Sequence, residues 1–177
     1  MCDRVIIREH IQMKKTSLGE LIANAISHGV GVVIAIAMLV VLLVRSSGTE
    51  EVLASLAFGI AMIVLYLSST LFHSFPEGMK RVSGVFRRLD HSSIFLLITG
   101  TYTPFILLVA QSTAGYILLA VLWTITIVGI VFKSIWIEKY HVIHLALYVL
   151  MGWSVMIIWS DISEQLGNSL GYLLAGG

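Results

Sequence analysis

Charge is scarce in this sequence. Asp, Glu, Lys and Arg make up 12% of its 177 residues, where a soluble domain carries about 25%. Cysteine occurs once, as Cys2, and proline twice, as Pro76 and Pro104. These counts exclude a disulfide scaffold, and the terminal position of Cys2 excludes a thiolate site within the apolar segments. With 11 Lys and Arg against 10 Asp and Glu, the charge balance gives no basis for nucleic-acid binding. No nucleotide-binding glycine motif, nucleophile elbow or His-Glu-x-x-His motif occurs.

What fills the chain instead is apolar: 58% of the residues are hydrophobic, and they fall in long blocks that water-soluble packing does not require. About 20 such residues cross the hydrocarbon core as a helix. Spans are predicted over residues 21–44, 52–73, 89–109, 114–132 and 142–159. Ser17 and Glu20 fit a capping box before the first. Gly100 and Pro104 predict a kink in the third, and Gly152 beside Met151 and Trp153 predicts close helix packing in the fifth. Asp161 and Glu164 predict a short polar loop. Residues 166–177 read as the opening of a sixth span, too short to cross. The expected fold is therefore all-α, a polytopic transmembrane helix bundle. It has a cytoplasmic tail over residues 1–16 and a bundle over 17–177 that is incomplete at its C-terminus.

Orientation follows from the basic residues. Arg4, Arg8, Lys14 and Lys15 lie in the tail, Lys80, Arg81, Arg87 and Arg88 after span two, and Lys133 and Lys139 after span four; Arg45 alone lies on the other side. The positive-inside rule then places the N-terminus in the cytoplasm. All six histidines, His10, His28, His73, His91, His141 and His144, fall toward that same leaflet. Membrane insertion does not demand this clustering, and ionisable groups inside spans mark functional sites by default.

Three groups carry the candidate chemistry. Glu20, Asn24 and His28 form one stripe at i, i+4, i+8, and His28 lies about 12 Å along the helix from Glu20. Ser69 and His73 share a face of span two. Between them and Asp90-His91 lie Pro76, Gly78 and Gly84, with Val82, Val85, Phe86 and Leu89 at helical spacing. That spacing predicts a short interfacial helix returning the chain to span three, so that Asp90 can lie beside His73. Two readings stay open. His73 is a zinc ligand with a carboxylate nearby to orient a ligand or water, or His73 and Asp90 are interfacial groups that pair with each other or with water. His141 and His144, three apart at a membrane boundary, read as interfacial histidines.

Glu20-x3-Asn24-x3-His28, Ser69-x3-His73, then Asp90-His91-Ser92-Ser93-Ile94-Phe95 and Thr99-Gly-Thr-Tyr-Thr-Pro104 in that order closely resemble the bacterial hemolysin III family. That family belongs with the adiponectin and progestin receptors in a superfamily of seven-span proteins. The resemblance implies a seven-helix bundle, here five full spans and the start of a sixth, in the bacterial plasma membrane. It implies a zinc site at the cytoplasmic leaflet, with His73 as a ligand and Ser69 and Asp90 as supporting catalytic groups. Glu20, Asn24, His28 and His91 complete the intramembrane polar set. In the receptor branch two further ligands come from an H-x3-H motif on the seventh helix, which this chain lacks, so its own zinc site is expected to be incomplete.

Related alkaline ceramidases make hydrolysis of a lipid amide or ester one expected function, with membrane lipids as partners. A membrane-perturbing cytolysin and a non-enzymatic membrane-homeostasis or sensor protein with structural zinc are the alternatives. Five strongly apolar spans weigh against a secreted pore-former, which needs a soluble form.

Overall fold

The computed structural model describes residues 18–75, 80–135 and 141–167. The tail, Ser17 with its expected capping box, and residues 168–177 of the expected sixth span lie outside them. Helix α1 covers Leu18–Arg45, α2 Thr49–Ser74, α3 Lys80–Leu108, α4 Thr113–Ile135 and α5 His141–Trp153; a 3-10 turn over Ser154–Ile158 leads into α6, Trp159–Leu166. Among the described residues five stretches are long and apolar enough to cross a membrane, the fifth running through α5, the 3-10 turn and α6 as Val142–Leu166.

Three boundaries differ from those read in the sequence. Residues 82–89 are not a separate interfacial helix but the first turns of α3; their apolar spacing is in phase with the span that follows, so nothing interrupts the hydrogen-bond ladder. Lys133 is not in a loop: α4 runs two residues past it. Asp161 and Glu164 are helical, within α6.

Helix α3 lies at the centre, packed on α2, α4 and α5, while α1 packs on α2 from outside. Only Ala35 of α1 is buried, and large apolar side chains such as Val33, Ile34 and Val44 cover its outer face, as suits a helix turned to lipid. Lipid tails are as apolar as the side chains, so association rests on close packing and interhelical hydrogen bonds. Small residues supply the first. A Cβ added to Gly129 of α4 would lie 2.9 Å from Cζ of Phe95 on α3.

Hydroxyls supply the second. Thr99 and Thr126 share a buried hydrogen bond of 2.6 Å between α3 and α4, and Thr126 Oγ1 also donates to the Phe95 carbonyl at 3.2 Å. At the far end Ser112 accepts from the Gly115 N–H at 3.0 Å, capping α4, and donates to Asp161 of α6.

The Tyr102 hydroxyl reaches the carbonyls of Met151 and Gly152 at 2.9 and 2.8 Å. Ser154 Oγ also donates to the Met151 carbonyl, at 2.6 Å. Side chains thus compete for the carbonyls of this turn, and the α-helix tightens into the 3-10 turn directly after it. Gly152 is not the packing glycine its neighbours suggest: it is exposed, and a Cβ there would meet nothing within 4 Å. Its carbonyl, not its missing side chain, makes the interhelical contact.

Candidate functional site

His28 of α1, His73 of α2 and Asp90-His91 of α3 lie at one end of the bundle, and Tyr148 of α5 reaches the last of them. The His28 and His73 rings are stacked, with centroids 6.0 Å apart and planes within 6°. Tyr66, two turns before His73 on α2, flanks His28 at 6.0 Å. Phe72 packs against both His73, at 4.9 Å, and His91, at 6.5 Å edge-on. Asp90 and His28 both act electrostatically on His73, which puts the carboxylate in the same site.

Asp90 has a second neighbour. Its Oδ2 lies 3.4 Å from His91 Nδ1, a contact without hydrogen-bond geometry, since that buried nitrogen has no hydrogen-bond partner among the described residues. The Tyr148 hydroxyl of α5 donates to the His91 carbonyl at 2.7 Å and feels the Asp90 charge. Ser93 donates to the Asp90 carbonyl at 2.6 Å and accepts a 3.4 Å contact from Ser68. These bonds fix the first turns of the α3 span and so aim Asp90.

Not every expected residue enters the centre. Ser69 is 4% exposed, buried beneath His73 on the same face of α2, whereas Asn24 is half-buried and Glu20 exposed, two turns of α1 short of His28. The stripe therefore climbs from the surface into the site, with His28 at its inner end.

His144 corrects the interfacial reading. It is 1% exposed, set against Phe132 at 5.7 Å and Phe95 at 6.3 Å; the side chain of His141 lies outside the description. Phe95 itself sits over Gly129 and 4.5 Å from Tyr148, so one ring carries contacts from α4 and α5. Lys133, also 1% exposed, ends the buried stripe of α4 that runs Gly115, Leu118, Leu122, Thr126, Gly129. That spacing was the available signal for Lys133. For Tyr148 it was the i, i+4 relation to His144.

His73 Nδ1, His91 Nδ1 and Ser92 Oγ are buried with no hydrogen-bond partner among the described residues. An unmade buried hydrogen bond costs about 1–3 kcal/mol, and such atoms in a native site call for a water, an ion or a chemical role. The donor chemistry fits a metal at His73, because a neutral imidazole nitrogen is a good zinc ligand. Among the described residues no three His, Cys, Asp or Glu side chains stand close enough to hold an ion together.

Five membrane-crossing helices with a histidine- and carboxylate-bearing site at one end define a polytopic helical membrane protein. Residues 19–177 match the family described as Haemolysin-III related. The chain is 41% identical over 162 residues to Hemolysin-3 of Bacillus cereus, covering 89% of this chain and 73% of that protein. It is 36% identical over 165 residues to the Hemolysin-3 homolog of Bacillus subtilis (strain 168), covering 91% and 76%. The chain belongs to the haemolysin III family. A 25% identity over 148 residues to the human Monocyte to macrophage differentiation factor, covering 82% of this chain and 62% of that protein, extends the relationship to the wider superfamily. No solved structure matches the chain.

Proposed function

We propose that the protein is a zinc-dependent hydrolase of a lipid amide or ester, working at the cytoplasmic leaflet of the bacterial plasma membrane with its N-terminus in the cytoplasm. The observation that carries this reading is the buried Nδ1 of His73, without a hydrogen-bond partner among the described residues, on a ring stacked against His28. His73 would hold the zinc, with further ligands from beyond the described residues. When bound, zinc supplies Lewis-acid polarisation of a carbonyl and acidifies water. Asp90 would orient a water at this site and hold its proton at the carboxylate, with His91 Nδ1 3.4 Å from Oδ2. Stacking against His73 would let His28 set the ring orientation, and Phe72 packs against both His73 and His91. Arg87 and Arg88 in the first turns of α3, just before Asp90, support the orientation.

The test is zinc content and release of fatty acid from a ceramide or phospholipid panel by the full-length protein. Loss of zinc in His73→Ala, and loss of turnover with zinc retained in Asp90→Ala, is the expected pattern. Zinc without any lipid cleavage would instead favour a structural zinc in a membrane-homeostasis protein. The name of the two Bacillus relatives carries a second reading, membrane perturbation. Lysis of erythrocytes by purified protein at the same rate in wild type and His73→Ala would favour that over the hydrolase.

A further inference from the structure

Two buried polar groups on the α4 side of α3 play no part in the site around His73. Ser92 is 4% exposed and Lys133 1%. Ser92 Oγ has no hydrogen-bond partner among the described residues. The Lys133 amine makes no hydrogen bond or ion pair among them.

The register of α3 against α4 brings the two together. Thr99 meets Thr126 at 2.6 Å, and one turn along Phe95 packs over Gly129. These contacts fix the helices as antiparallel. From Thr99 back to Ser92, and from Thr126 on to Lys133, is seven residues, two turns and about 10.5 Å of helix. Ser92 therefore continues the face of Phe95 and Thr99, and Lys133 the buried stripe of Thr126 and Gly129. They stand opposite one another at one depth. His144 of α5 flanks them, set against Phe95 and Phe132.

A lysine so placed needs a counter-charge. Its ammonium carries three donors and no acceptor, and ionisable groups within spans pair or mark a function. Asp90 precedes Ser92 by two residues, about 200° round the helix at 3.6 residues per turn. Its charge acts on His73 and Tyr148 but not on Lys133, on which burial alone acts. A water would satisfy the serine hydroxyl and leave the ammonium uncompensated. An oxyanion satisfies both, accepting from the amine and from the hydroxyl in charge-assisted bonds. Lys133 lies two residues before the end of α4 at Ile135, so such a group reaches it from the membrane boundary.

We propose that Ser92 and Lys133 bind a phosphate group, at a site separate from that of His73. A lysine serves phosphate as a point charge, and phosphate is the anion a bilayer presents at the end of a span. The headgroup of an anionic phospholipid and free phosphate offer the same oxygens to this pair.

The test uses the full-length protein in dodecyl maltoside, an uncharged detergent. Inorganic phosphate is titrated by calorimetry. Phosphatidylglycerol adducts are counted by native mass spectrometry, with diacylglycerol as the phosphate-free control. Saturable binding in either arm is expected, and the arm that responds identifies the source. Lys133→Met, with an unbranched side chain of similar reach, abolishes that binding. Ser92→Ala weakens it about fivefold, as the loss of one hydrogen bond implies. Should Lys133→Met lose its helical signal, Ser92→Ala decides alone. His73→Ala and Arg88→Gln leave the binding unchanged, the first testing capture by zinc and the second adsorption on an exposed cation. The proposal is overturned by no phosphate-dependent binding in either arm, or by binding that a folded Lys133→Met or Ser92→Ala retains in full. Loss of binding in His73→Ala or Arg88→Gln overturns it as well.

Discussion

His28 and His73 come from different helices, yet their rings lie parallel within 6° at a centroid separation of 6.0 Å. The pair joins the stripe on α1 to the Ser69-His73 face of α2, and Phe72 links His73 to His91 at the start of the α3 span. The positions of His28 and His73 at the ends of long apolar runs would be expensive without a partner. Stacking, and Tyr66 tilted against His28 at 6.0 Å, supply part of that partnership. Replacing His28 with Phe keeps a flat ring in the stack but removes its nitrogens. The fold is expected to survive this change and any lipid turnover to fall at least tenfold, measured as fatty acid release beside the thermal midpoint in detergent. An unchanged rate would remove His28 from the site.

The packing at Gly129 gives a test of the fold alone. A methyl group there would press on the Phe95 ring at 2.9 Å, and Phe95 also supports Tyr148 and His144. Overpacking of this kind costs about 1–3 kcal/mol. Gly129→Ala should lower thermal stability in detergent by that order, while Gly152→Ala, with open space around it, should not. Equal effects would mean that the α3–α4 contact is not as described.

A buried bond between Thr99 and Thr126 ties α3 to α4. Interhelical hydrogen bonds in membranes average about 0.6 kcal/mol in double-mutant cycles. A cycle of Thr99→Val and Thr126→Val should give a coupling near that value by chemical unfolding in mixed micelles. A coupling indistinguishable from zero would show that the two hydroxyls do not meet.

Tyr102→Phe removes the hydroxyl that reaches the Met151 and Gly152 carbonyls. Loss of such a bond is worth about 1 kcal/mol. Faster hydrogen exchange is expected at the 3-10 turn, Ser154–Ile158, with α4 unaffected. Unaltered exchange there would assign the tightened turn to some other cause.

The spans were legible in the sequence because hydropathy acts over about 20 residues at a time: α1 to α4 cover the first four expected segments to within a residue, while the fifth is divided among α5, the 3-10 turn and α6. Their ends were less so. Lys133 reads as a loop residue by charge, yet it continues a buried stripe, and Asp161 reads as a loop residue although Ser112 receives it within α6. Burial on the stripe for Lys133 and the bond from Ser112 for Asp161, not local composition, mark the outcome. The same holds in the site. Spacing placed Glu20, Asn24 and His28 on one face, but only packing against α2 separates His28, inside the site, from Glu20, outside it. His144 was misread as interfacial because a histidine at a membrane boundary looks the same whether it meets water or Phe95 and Phe132.

His73 is the residue on which a zinc site in this chain depends. Elemental analysis of the full-length protein, purified in detergent without chelator, should find about one zinc per chain, as expected for a single histidine-bearing site, and His73→Ala should carry none while keeping its helical signal. Zinc absent from the wild type, or retained unchanged in His73→Ala, would contradict it.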